Sequence, residues 1–83
     1  MSMIFLTYRA QTGARRGVSI LNGAGIRARM GRTPGNLATE GCGFGLWIRE
    51  ADGHRAAYLL RRGSAAFERC YKMEGGRGRE VAL

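Results

Sequence analysis

A cysteine between two glycines is the feature of this chain best suited to chemistry. Cys42 stands between Gly41 and Gly43, in the segment 39–45 that leads into the apolar run 46–48. Glycine on both sides leaves the thiol accessible and allows backbone N–H groups to turn toward whatever the sulfur carries. This pattern indicates a reactive cysteine. The alternative is that the glycines form a turn and Cys42 is a small apolar side chain, as free cysteines often are.

The other residue types that could do chemistry have no suitable spacing. His54 is the only histidine, and no Cys-x-x-Cys or His-x-x-x-His pattern accompanies it. Metal sites usually combine several such ligands at short spacing, so we expect no metal site and no cofactor. His54 is instead predicted to lie at the start of a helix. Cys70 falls inside an apolar strand pattern, which favours a structural role.

The composition predicts a small basic domain with acidic partners. The 83 residues carry a formal net charge of +8, and 13 of the 14 basic residues are arginine. Arginine favours flat anions such as phosphate and carboxylate, although an arginine-rich composition can also reflect a GC-rich genome. A core of this size gives a single chain only marginal stability, so a homodimer is one expectation. No apolar run is long enough for a signal peptide or membrane span, and a cytoplasmic protein is expected.

The hydrophobic pattern predicts four strands and two helices in the order βαββαβ. Strands are predicted at 3–8, 26–30, 44–49 and 65–73, and helices follow the cap residues Thr12 and Asp52 and end before Gly25 and Gly63. This order predicts an α+β ferredoxin-like sandwich, with two helices on a four-stranded antiparallel sheet. A single domain is expected over residues 1–74, and residues 75–83 are predicted to form a disordered Gly/Arg tail.

The long connection in the middle of the chain is where this fold would place the cysteine. Residues 31–45 contain the only proline and read as a loop, and loops of this length tend to be functional. In the predicted strand order the third and fourth strands flank the first, about 9–10 Å apart. Because a disulfide needs Cα atoms within about 7 Å, we expect no bridge between Cys42 and Cys70.

The residues of this connection and its flanks resemble a known family. The specific part is the spacing Pro34-x-x-Leu37-x-x-x-x-Cys42-Gly43. The resemblance covers about residues 3–73 and is to the small bacterial and archaeal proteins described as selenium/sulfur carrier-like. The matching positions are Tyr8, Ala24-Gly25-Ile26, Arg29-Met30, Thr33-Pro34, Leu37 and Gly41-Cys42-Gly43. Arg32 stands where such sequences often have a second proline, and Gly35 where a basic residue is common.

The resemblance implies a carrier that holds a persulfide or perselenide on Cys42 and passes it to an acceptor protein. Such a carrier needs a thiolate, an open path, and N–H donors or positive charge near the terminal sulfur. The implied binding residues are Gly41, Gly43, Arg29, Arg32, Thr33 and Pro34. Its partners would be sulfur or selenium donor and acceptor proteins with acidic surfaces. A carrier or binding protein is therefore favoured over an enzyme with turnover.

Two other functions are consistent with the sequence. The first is a small basic module that binds nucleic acid through arginine faces, with Arg15 and Arg16 on a helix, Arg27 and Arg29 on a strand, and a Gly/Arg tail. Aromatic residues are sparse, and no run resembles the paired stacking motifs of RNA-binding sheets. The second is a structural subunit whose arginine faces contact an acidic protein.

Overall fold

Two helices pack on one face of a five-stranded antiparallel sheet in the computed structural model, which describes residues 2–37 and 43–83. The elements are β1 (Met3–Tyr8), α1 (Gln11–Gly23), β2 (Arg29–Arg32), β3 (Phe44–Arg49), a 3₁₀ turn (Glu50–Asp52), α2 (Gly53–Arg62), β4 (Cys70–Glu74) and β5 (Arg77–Val81). The strand order is β2-β3-β1-β4-β5. The predicted α+β class is confirmed, and the arrangement is compatible with a ferredoxin-like fold, but the sheet has five strands where four were predicted.

The fifth strand occupies the segment that the sequence predicted to be a disordered tail. Gly75 and Gly76 have φ angles of 57° and 80°, and β5 returns along β4 with Glu74 paired to Arg77. Two successive left-handed residues form the tight hairpin turn whose twist matches that of the strands, and glycine adopts this conformation without steric cost. The glycine-rich composition of residues 75–78 therefore marks a hairpin, and the prediction of disorder for 75–83 was wrong over β5.

Several boundaries differ from those that the sequence predicted. Helix α1 begins at Gln11, so Thr12 lies inside it, and no side chain caps its first turn. Asp52 does precede α2 but makes no cap hydrogen bond, because its carboxylate pairs with Arg49 Nε at 3.3 Å. The second strand is residues 29–32, and the fourth begins at Cys70. His54 lies in the first turn of α2, as predicted.

The sheet is buried on both faces along its central strand. Every residue of β1 from Ile4 to Tyr8 is buried. On the helix-covered face the core contains Ile4, Leu6, Tyr8, Ala14, Leu21, Ile26, Leu46, Ile48, Ala56, Leu60, Ala65 and Cys70. A smaller cluster on the opposite face contains Phe5, Leu37, Tyr71 and Met73, with Trp47 packed against it. Full burial of each large apolar side chain contributes roughly 1.5–3 kcal/mol, which explains why these apolar runs form the centre of the sheet.

Candidate functional site

The predicted carrier site lies on the connection between β2 and β3. Cys42 and Gly41 fall outside the described residues. Of the other predicted site residues, the structure brings together Arg32, Thr33 and Gly43, because the Thr33 backbone N–H donates to the Gly43 carbonyl oxygen at 3.1 Å. Arg32 and Gly43 are exposed. The two ends of the connection are therefore held side by side at the end of the sheet.

The first part of this connection is anchored on the face of the sheet opposite the helices. The Leu37 backbone N–H donates to the Pro34 carbonyl oxygen at 3.1 Å, and the Leu37 side chain is only 8% exposed in the cluster with Phe5, Tyr71 and Met73. The Asn36 side-chain amide donates to the Gly76 carbonyl oxygen at 2.9 Å. The chain thus crosses from the β2 edge of the sheet to the β4–β5 turn. Burial of the Leu37 side chain and the Asn36 hydrogen bond hold residues 33–37 in place.

Arg29 does not join the group around Gly43. It is paired with Trp47, whereas Arg32 is paired with Phe44, three residues nearer the start of β3. Three residues of strand span about 10 Å, and positions separated by an odd number lie on opposite faces. Phe44 packs against the helix-side core and Trp47 against the other cluster. Arg32 is therefore the one of these two arginines that lies at the Gly43 end of β3, and Arg29 lies on the other face of the sheet.

Cys70 has a structural environment, as predicted. It is 2% exposed on β4, where it is paired with Leu6 of the central strand. Burial raises the pKa of the Cys70 thiol to about 11, which Arg61 opposes and Glu80 reinforces. The thiol is therefore protonated at neutral pH and is a poor nucleophile. Cys70 is a free cysteine, and its strand β4 lies on the other side of β1 from β3. Cys42 lies outside the described residues, so the absence of a bridge between the two cysteines stays a prediction.

Many arginines of this basic chain are engaged in contacts that hold the fold together. Arg16, Arg55 and Arg61 donate to the carbonyl oxygens of Gly63, Ala24 and Leu83. Ion pairs join Arg9 to Glu68, Arg49 to Asp52 and Arg69 to Glu80, and Arg62 lies over the Tyr58 ring. Within the described residues, the exposed arginines whose side chains make no hydrogen bond, ion pair or ring contact are Arg15, Arg27, Arg29, Arg32, Arg77 and Arg79.

Two of these unengaged arginines, Arg27 and Arg29, border a pocket of about 590 Å³. The remaining lining residues are Met3, Asn22, Ala28, Trp47 and Arg49. The pocket lies where β1 and β2 begin and β3 ends, and about 13 Å of strand separates its Trp47 from Gly43. The sequence correctly predicted Arg27 and Arg29 on one exposed face. It did not reveal the pocket, because only the pairing of Arg29 with Trp47 brings an indole to them.

The strand register also aligns three aromatic side chains that are far apart in sequence. Phe5 on β1 is paired with Trp47 on β3 and with Tyr71 on β4, and the Phe5 and Trp47 ring centroids are 4.9 Å apart in an edge arrangement. The sequence offered no stacking motif, since each ring comes from a different segment. Phe5 and Tyr71 are 0% and 5% exposed and pack with Leu37, so only Trp47 is accessible.

Residues 2–37 and 43–83 contain no group of three His, Cys, Asp or Glu side chains that could hold a metal ion. Neither α1 nor α2 is long and apolar enough to cross a membrane. Comparison of the chain with protein families, with curated proteins and with solved structures gives no match.

Proposed function

We propose that this protein is a sulfur or selenium carrier that holds a persulfide or perselenide on Cys42 and passes it to an acceptor protein. The observation that supports this most directly is the environment of Cys70, whose burial and raised pKa disfavour exchange chemistry. Cys42 is the only other cysteine of the chain. Its neighbour Gly43, the first described residue after it, is exposed.

The connection between β2 and β3 has the properties that a carrier segment needs. Its ends are joined by the Thr33–Gly43 hydrogen bond, and Leu37 and Asn36 attach its first part to the sheet. A segment held in this way limits the number of positions that its thiol can reach, which favours transfer between docked proteins. Arg32 is exposed and is paired with Phe44, the residue after Gly43. Positive charge at this end of the connection would favour the anionic form of a thiol or persulfide.

The motif that carries the resemblance has a defined place in the fold. The order βαββαβ with β1 between β3 and β4 is compatible with a ferredoxin-like arrangement, and β5 is added beyond β4. In this chain residues 33–43 form the longest connection between two elements, and Pro34, Leu37 and Gly43 all lie on it. The donor and acceptor proteins would present acidic surfaces to the exposed arginines.

The loading step is a thiol exchange with no net oxidation. The Cys42 thiolate attacks the terminal sulfur of a donor protein's persulfide, the donor S–S bond breaks, and the donor cysteine leaves as a thiolate. A new S–S bond then joins the transferred sulfur to Cys42. Unloading repeats the exchange, with an acceptor thiolate attacking the terminal sulfur and Cys42 as the leaving group. A perselenide follows the same balance with selenium as the transferred atom.

The test is mass spectrometry of the intact protein after incubation with a cysteine desulfurase and cysteine. We expect a mass increase of one sulfur atom that maps to Cys42, is removed by a reducing thiol, and is absent from Cys42→Ser. Cys70→Ala is the matched control and should load like the wild type, because Cys70 is buried. Loading of Cys70, or no loading by a desulfurase that is itself charged with sulfur, would contradict the proposal.

Nucleic-acid binding through arginine faces and a flexible Gly/Arg tail has less support. Of the helix arginines on which it depends, Arg16 donates to the Gly63 carbonyl oxygen at 3.0 Å. The expected flexible Gly/Arg tail is largely the strand β5. Within the described residues, the unengaged arginines are spread over several surfaces; Arg27 and Arg29 line one pocket and Arg79 lines another.

A further inference from the structure

We propose that the pocket between Arg27, Arg29, Arg49 and Trp47 binds a nucleoside phosphate, with the base against the Trp47 indole and the phosphate held by Arg27 and Arg29. This site is separate from the proposed carrier function. It lies at the opposite end of β3 from Gly43, and none of its residues belongs to the connection between β2 and β3.

The charge of the pocket favours an anion. Its lining contains three arginines and no carboxylate. Arg27 and Arg29 are exposed and make no hydrogen bond or ion pair within the described residues, so no internal partner must be displaced. Arg49 is oriented by the contact of its Nε with Asp52 at 3.3 Å, which leaves its other N–H groups free to donate. Guanidinium groups bind phosphate oxygens in a bidentate manner, which makes phosphate the best-matched anion.

The apolar part of the pocket favours a flat ring beside that anion. Trp47 is partly buried, and its ring is held in place by the edge contact with Phe5. Met3 lines the same pocket and adds an adaptable apolar side chain. The Asn22 side-chain oxygen accepts a hydrogen bond from the Ala28 backbone N–H at 3.2 Å, so the Asn22 NH₂ group remains to donate to a base or sugar. An indole beside arginines and an amide suits a nucleobase carrying a phosphate.

The size of the site favours one nucleotide unit over an extended strand. A volume of about 590 Å³ is in the usual range for small-molecule pockets. Proteins that bind long single strands stack successive bases on several aromatic rings. Here Phe5 and Tyr71 pack with Leu37, and Trp47 is the only accessible ring of the row. The unit bound is thus a single nucleoside phosphate, which can be free or part of a single strand.

Intrinsic fluorescence tests this site directly, because Trp47 is the only tryptophan in the chain. We expect adenosine monophosphate to quench Trp47 fluorescence in a saturable way, with adenosine and inorganic phosphate each at least about tenfold weaker, since each lacks one of the two contacts. An oligoadenylate distinguishes between a free nucleotide and a single strand as the ligand. If the oligoadenylate has a lower dissociation constant than adenosine monophosphate, the site binds single strands. If its dissociation constant is equal or higher, the site binds free nucleotides. Either result supports the site.

The matched variants are Arg29→Gln and Arg15→Gln, which remove the same charge from exposed, unengaged arginines. Arg29→Gln should weaken quenching by about tenfold or more, and Arg15→Gln by less than about twofold, because Arg15 lies on α1 outside the pocket. Cys42→Ser should leave quenching unchanged, so this test can fail independently of the carrier proposal. The proposal would be overturned if neither adenosine monophosphate nor the oligoadenylate quenched Trp47 fluorescence. Equal binding of inorganic phosphate and the mononucleotide, or equal effects of the two arginine variants, would also overturn it.

Discussion

Leu37→Ala tests whether the connection between β2 and β3 is anchored on the sheet. The Leu37 side chain is 8% exposed and packs with Phe5, Tyr71 and Met73. Leucine-to-alanine changes in a core cost about 2–5 kcal/mol, depending on how far the surroundings can close the cavity. Leu37 lies in a small cluster under a surface connection, where such closure is easier, so we expect the low end of the range. The free energy of unfolding should fall by about 2 kcal/mol.

That loss is large for a domain of this size. Small domains have unfolding free energies of roughly 0.05–0.15 kcal/mol per residue, and 1 kcal/mol shifts the melting temperature by about 4–8 °C. We therefore expect the midpoint to fall by about 8–16 °C. Urea and thermal unfolding measure both quantities, followed by circular dichroism and by the fluorescence of Trp47, which packs against the same cluster.

Gly35→Ala is the matched control, because it changes the same connection but places its Cβ where no atom of residues 2–37 or 43–83 lies within 4 Å. It should change the unfolding free energy by less than about 0.5 kcal/mol. A Leu37→Ala effect as small as that of Gly35→Ala would refute the anchoring of this connection on the sheet. The support that it gives to the carrier proposal would then be lost as well.

Two further predictions concern the sheet. Gly45→Ala should lower the unfolding free energy by about 3 kcal/mol, because the added Cβ would collide with the Leu6 carbonyl oxygen of the central strand, whereas Gly43→Ala meets no atom within 4 Å and should be neutral. Thermal unfolding compares the two, and equal midpoints would contradict the register of β1 and β3. Burial raises the pKa of the Cys70 thiol to about 11, so the folded protein favours the neutral thiol. The resulting contribution to the free energy of unfolding is fully present below the pKa of the unfolded state and is lost as the pH rises toward 11. In a Cys42→Ser background, iodoacetamide at pH 8 should label Cys70 only after denaturation, and rapid labelling of the folded protein would refute this.

The sequence by itself determined the two central strands and the presence of both helices. The runs 3–8 and 44–49 were predicted at the bounds that β1 and β3 have, because strands buried on both faces appear as short, nearly continuous apolar runs. The glycines at 75 and 76 carried the signal for a hairpin as well. That signal was misinterpreted because glycine-rich basic segments are also typical of disorder.

Only the tertiary structure decided which of the predicted site residues lie together. Arg29 and Arg32 are close in sequence, yet strand alternation and the register with β3 place them on opposite faces, one beside Trp47 and the other beside Gly43. The anchoring of Leu37 likewise depends on Phe5 and on residues of β4, which come from distant segments. Local patterns specify which face of an element is apolar. The register between elements is set by long-range packing, and it determines which charged and aromatic side chains converge.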